Sequence, residues 1–206
     1  MPHIKLSLSL KSLFFFVLGI LTLLVMAKVE LPLLFGQDEN WERKIEAYRW
    51  ILHIHAFAGS MALFIAPLQF LFDLRSMHPR LHRKLGRIYA ASICIAAPLA
   101  FWIAIMSMSS AEKWTACAQA SLWLYATIAA VVTAIHSQFD RHRIWILRSY
   151  ALTCTFVLTR FFVDVLGMHF SQSLGGNAGL TVSSSILVWI CADLIAVRKH
   201  TMVWEG

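Results

Sequence analysis

The fold class that the chain predicts is an all-α membrane protein, a six-helix transmembrane bundle with a four-helix core. Three observations predict it. The apolar class AVILMFWYC makes up 59% of the 206 residues and charged residues only 14%, against roughly 25% charged in soluble domains. With fourteen phenylalanines and eight tryptophans, a domain of this size cannot hide its apolar surface from water, so lipid must solvate much of it. Finally, the apolar residues gather into six long runs, and the cations fall in the short breaks between them.

The runs read as one integral membrane domain over residues 1–206. The first extends from about Ser12 to Phe35, with Lys28 and Glu30 towards its far end. The second covers Tyr48 to Leu71, the third Leu85 to Met108 and the fourth Trp114 to Gln138. The fifth covers Ile144 to Leu166 and the sixth Leu180 to Val197. About 20 helical residues cross the roughly 30 Å hydrocarbon layer, and backbone groups in lipid must bond internally, which makes these runs helices. Pro67 and Pro98 fall inside the second and third, where the missing amide donor should kink or loosen a turn.

Alternating helices with a cytoplasmic N-terminus put twelve of the eighteen cations inside, among them Arg75, Arg80, Arg83, Lys84, Arg87, Arg141, Arg143 and Arg148. The outside receives Lys28, Arg49 and Arg160 with most of the acids, including Glu30 and Asp164. This bias follows the positive-inside rule and places both termini in the cytoplasm. A net charge of +7 distributed in this way is a membrane pattern, and no nucleic acid is expected as a partner; membrane lipids are. Met1 to Ala27, with Val-Met-Ala before Lys28, also has the outline of a cleavable signal. Its apolar core exceeds the usual length of one, which favours an uncleaved anchor. Cys94, Cys117, Cys154 and Cys191 stand singly in apolar surroundings, the pattern of buried thiols rather than of a disulfide framework or a zinc knuckle.

A weak internal echo follows the second and fourth runs. Phe72-Asp73 and Phe139-Asp140 are each followed by His-Arg (His82-Arg83, His142-Arg143) and then by Arg and Tyr-Ala (Arg87, Tyr89-Ala90; Arg148, Tyr150-Ala151). The expected core is therefore two hairpins, flanked by the first and last helices. The stretches "HIHAFAGSMALFIAPLQF", "HPRLHRKLGRIYA" and "HRIWILRSYALT", followed by Arg160, resemble the bacterial family of predicted membrane proteins filed as domain of unknown function 2306. The resemblance covers about Trp50 to Arg160. It implies a small multi-helix protein of the bacterial cytoplasmic membrane and brings no reaction with it. A more distant likeness, to two-haem membrane cytochromes of the b561 type, rests on six helices and histidines near helix ends, without that group's full set of ligand pairs.

Four residues stand out as candidates for chemistry: His55, His82, His136 and Arg160. His55 lies about seven residues into the second helix, roughly 10 Å deep at 1.5 Å per residue. His53, two residues away, points to a different face, so the pair makes a poor single metal site. A neutral histidine bonded to a neighbouring helix is the plainer reading; a haem or quinone contact is the functional one. Gly59 and Ser60 leave room beside it for a helix or a planar ring. Arg160 lies about six residues in from the outer end of the fifth helix. Charged groups in membranes usually face the interior with a partner, and Asp164 at i+4 can supply it. The rival reading is an anion or carbonyl site near His55.

On the inner side, His78 and His82 are i and i+4, with Pro79 fitting only near a helix start. His82 with His136 is the best inner pair for the iron of a haem b, which takes two imidazoles from different helices. For an outer haem the partner of His55 would be His169. Arg80, Arg83, Lys84 and Arg87 are explained by orientation and anionic lipid heads. No GxSxG, HExxH or Walker loop is present, so hydrolase and nucleotide chemistry find no support. The expected function is a haem b- or quinone-associated electron-transfer subunit working with a redox partner. The alternatives are a small transporter and a structural or assembly protein.

Overall fold

The computed structural model describes residues 10–35, 46–71, 74–168 and 176–201. All regular structure in them is helical. Helix α1 (Leu10–Val25) passes through a π-helical turn (Met26–Glu30) into the short α2 (Leu31–Leu34). A 3-10 turn (Glu46–Tyr48) opens α3 (Arg49–Leu71), and the single turn α4 (Leu74–Met77) leads into α5 (Pro79–Ser107). Then follow α6 (Ser110–Ile135), α7 (Phe139–Arg160) with a second π turn (Phe161–Val165), and α8 (Gly176–Thr201).

The six-helix expectation is corrected. Among the described residues five helices are long and apolar enough to cross a membrane: Glu46–Phe70, Pro79–Ser107, Ser110–Ile135, Phe139–Val165 and Asn177–Ala196. The first run is not among them: it is divided into α1 of 16 residues, roughly 24 Å at 1.5 Å each, a π turn and the four-residue α2. The π turn carries Lys28 and Glu30. The four-helix core is corrected with it. Helix α8 packs against α7 as broadly as α6 does and also touches α6, so it belongs to the bundle and is no flanking addition.

Charged residues do not end these helices. Helix α5 begins six residues before the expected start, at Pro79, whose fixed φ suits the first helical position. Arg80, His82, Arg83 and Lys84 therefore form its first turns, and arginine and lysine are good helix formers. Helix α7 likewise starts at Phe139. Helices α3 and α5 run through Pro67 and Pro98 without a break.

Close packing is built from small residues. Ala58, Ala62 and Ala66, spaced four apart, are buried on α3, and α5 answers with Ile93, Ala96 and Ala97. Such stripes let two backbones approach in lipid, where apolar burial alone gives no association. Hydroxyls join the neighbouring helices. Tyr89 Oη of α5 and Ser149 Oγ of α7 lie 2.8 Å apart, Thr127 Oγ1 of α6 is 2.8 Å from the same Ser149 Oγ, and Trp123 Nε1 donates to Thr153 Oγ1 at 3.0 Å. Large side chains such as Phe57, Phe64, Ile95, Ile186, Leu187 and Leu194 point outward, as a lipid-facing surface requires. The four cysteines are free thiols, Cys117 and Cys154 buried and Cys94 and Cys191 exposed.

Arg148 has a role that its placement among the cytoplasmic cations does not suggest. It lies nine residues into α7 and makes a two-pronged pair with Asp193 of α8, at 2.7 and 3.1 Å. Trp145 and Trp189 cover the guanidinium, with ring centres 4.8 and 5.0 Å away.

Candidate functional site

The four candidate residues fall at two ends of the bundle. His55 and Arg160 share one end, where α3 begins and α7 closes. His82 and His136 belong to the other, where α5 begins and α6 closes.

His55 is half-buried between α3 and α5, with Nδ1 2.9 Å from the carbonyl oxygen of Ala96. A carbonyl only accepts, so Nδ1 carries the proton and Nε2 is left with its lone pair. A backbone carbonyl orients metal- and ligand-binding histidines in the same way. His53 points elsewhere and meets Trp50 edge-on, ring centres 6.0 Å apart. One turn on from His55, a Cβ at Gly59 would meet nothing within 4 Å, so space lies open on that face.

Arg160 donates to Asp164 at 3.0 Å, the i,i+4 partner that spacing predicts. Each side chain is about a quarter exposed, and the Arg160 charge is felt at both His55 and Glu30. Glu30 is the member of this cluster that sequence reasoning missed. It ends the first π turn, which packs against the second π turn, the one carrying Asp164. Burial pushes the Glu30 carboxyl above its ordinary 4.5; Arg160 opposes the rise and Asp164 adds to it. Its Oε1 is buried and has no hydrogen-bond partner among the described residues. Single π turns inside helices recur at functional sites, and here two of them meet. The only signal in the sequence was the pair of charges, Lys28 and Glu30, breaking an apolar run.

At the other end, His78 caps α5 from outside with Pro79 in the first helical position. His82 is half-buried in the first turns of α5. His136 is the exposed cap of α6, its Nδ1 2.9 Å from the Val132 carbonyl of its own helix. His142 links α7 to α6 here, with Nδ1 2.8 Å from Ala130 O. His169, the expected partner of His55, lies outside the described residues. Among the described residues no group of three or more His, Cys, Asp or Glu is arranged to hold a metal ion.

Neither a curated protein nor a solved structure matches the chain. A family model does match, over residues 52–197, which takes in α3 to α8 and with them His55, Arg160 and both hairpin turns. The chain thus belongs to the family of predicted membrane proteins described as domain of unknown function 2306.

Proposed function

We propose that this multi-pass membrane protein is an electron-transfer subunit of the bacterial cytoplasmic membrane, with its basic hairpin turns and C-terminus cytoplasmic, that binds the polar head of a quinone beside His55 and Arg160. The observation that carries the reading is the His55–Ala96 bond, which directs an unprotonated Nε2 away from the α5 backbone. In two successive steps such a nitrogen would take a hydroxyl proton of a hydroquinone while a redox partner takes one electron, two protons and two electrons in all leaving the quinone. Arg160, paired with Asp164 at the same end, is a guanidinium whose N–H groups are the kind of donor a quinone carbonyl takes. The open space beside Gly59 gives a flat ring room to enter.

Haem b is the second occupant in this reading. His55, anchored by a backbone carbonyl, would be a residue to hold haem iron, and His82 and His136 would be the residues to hold it at the opposite end. Two imidazoles from different helices are needed at one haem, and the described residues offer His55 only His53 of its own helix. The quinone head therefore comes first.

The test is a titration of the purified protein with a short-chain quinone, read by tryptophan quenching, alongside a dithionite-reduced minus oxidised spectrum. One quinone per chain is expected, weakened about tenfold or more by His55→Ala or Arg160→Lys, since losing a partner from a buried polar contact costs about 1–3 kcal/mol. A band near ~560 nm would move haem b to the front. No quinone binding and a featureless spectrum from folded protein would sink both. A proton-coupled permease is favoured by one observation, the unbonded Glu30 carboxyl where the two π turns meet. Proton-dependent solute flux in proteoliposomes would support it.

A further inference from the structure

We propose that the cavity between α4 and the α6–α7 turn is a headgroup site for an anionic phospholipid. It lies at the end of the bundle opposite His55 and does not depend on the quinone reading. The cavity is an open depression of about 690 Å³ at the surface, lined by the exposed Arg75, Ser137, Gln138, Phe139, Asp140 and Arg141. The Arg75 guanidinium sits 4.6 Å from the centre of the Phe139 ring. Arg141 Nη1 is 3.4 Å from Gln138 Oε1, a marginal hydrogen bond that leaves its other donors open. Among the described residues neither arginine is in an ion pair, whereas Arg148 and Arg160 both are. Among the described lining residues, two guanidiniums stand against the single carboxylate of Asp140, a net positive charge.

Position selects the ligand. The cavity opens where the spans Pro79–Ser107 and Phe139–Val165 begin and Ser110–Ile135 ends, the level at which lipid heads meet helix ends. Its surroundings are amphipathic. Met77, Ile135 and Phe139 stand exposed around it, with Ile135 at 74%. An amphiphile with an anionic phosphate head and apolar tails matches both parts. The planar fork of arginine binds phosphate through paired N–H donors, and basic pockets between transmembrane helices hold anionic headgroups. Arg80, Arg83 and Arg143, exposed at the same end, would only enrich such lipids nearby.

The experiment is native mass spectrometry of the full chain released from mild detergent with phosphatidylglycerol, phosphatidylcholine or inorganic phosphate as probe. One phosphatidylglycerol per chain is expected, and no phosphatidylcholine. The double variant Arg75→Gln/Arg141→Gln should lower retention about tenfold or more, while Arg80→Gln/Arg83→Gln, with the same loss of charge, stays near the unaltered protein. Equal losses in the two variants would overturn the proposal in favour of diffuse attraction. Inorganic phosphate retained as well as the lipid would overturn the lipid assignment. Should the cavity variant fail to fold, a photoreactive phosphatidylglycerol decides on the unaltered protein. Label within residues 75–77 or 135–141 supports the site, and label confined elsewhere overturns it.

Discussion

His55 and Glu30 carry the sharpest expectations at the scale of single residues. His55→Gln keeps a polar side chain but loses the imidazole, so in the proposed function quinone affinity falls while folding is spared. Gly59→Leu tests the same space from the other side. A Cβ there meets nothing within 4 Å, so the larger side chain starts into open space and should abolish binding with little change in thermal midpoint. Binding that survived Gly59→Leu would place the ligand elsewhere. Glu30 makes a prediction about pH. Its carboxyl is raised by burial first of all, so the folded state holds that proton more tightly than the unfolded chain does. Its contribution to stability is full below the ordinary 4.5 and is lost as pH rises through the raised value. Glu30→Gln should therefore flatten the thermal midpoint against pH and raise it at neutral pH. An unchanged profile in the variant would refute this role. The spacing of Arg160 and Asp164 was legible because i and i+4 share a helix face. The partner of His55 was not, because a backbone carbonyl such as that of Ala96 leaves no mark in residue type. Nor was Glu30, which 130 positions separate from Arg160.

Helix ends and helix pairs make the predictions at the next scale. Helix α6 closes with Ser137 at φ 57°, its amide bonded to Ala134 O at 3.1 Å and the Gln138 amide to Thr133 O at 2.9 Å. This 5→2 and 6→1 pairing normally takes glycine at the left-handed position. Ser137→Gly should then raise stability by up to about 1 kcal/mol, and Gly167→Ala, at φ 65° after the second π turn, should lower it by about as much. Thermal midpoints in one detergent check both signs. The α7–α8 pair depends on Arg148 and Asp193. Arg148→Met leaves the carboxylate without its partner and should cost about 2–4 kcal/mol. Arg148→Met/Asp193→Leu should recover most of that, because neither charge is then stranded. A double variant no better than the single one would mean that the tryptophan contacts, and not the pair, hold α8. Five of the six apolar runs were recognisable as helices because crossing lipid demands a long run of them. Where α5 and α7 begin was misjudged, since charge was read as the end of a helix that in fact continues through Arg83 and Arg143. The first run is the exception: its apolar content conceals a helix divided by a π turn that carries Lys28 and Glu30.

Orientation is the property of the whole molecule that the helix arrangement makes testable. Connections of two and three residues, Met108–Ser109 and His136–Gln138, turn the chain back on itself, so α5, α6 and α7 alternate in direction. Arg75, Arg80, Arg83, Lys84, Arg87, Arg141 and Arg143 consequently gather at one end, and Arg49, Lys113 and Arg160 at the other. Losing the first run from the set of spans does not disturb this asymmetry, because it resides in α3 to α7. The proposed cytoplasmic placement of the basic end then predicts how single cysteines behave in a variant lacking Cys94, Cys117, Cys154 and Cys191. Ser137→Cys, at the exposed α6–α7 turn, should react with a membrane-impermeant maleimide only after the cells are opened. Ser109→Cys, at the exposed α5–α6 turn, should react in intact spheroplasts. The reverse pattern would invert the protein in the membrane and put the lipid cavity on the outer leaflet. It would also turn the His55–Arg160 end to the cytoplasm, so that the proton from a hydroquinone would be released on the inner side instead of the outer.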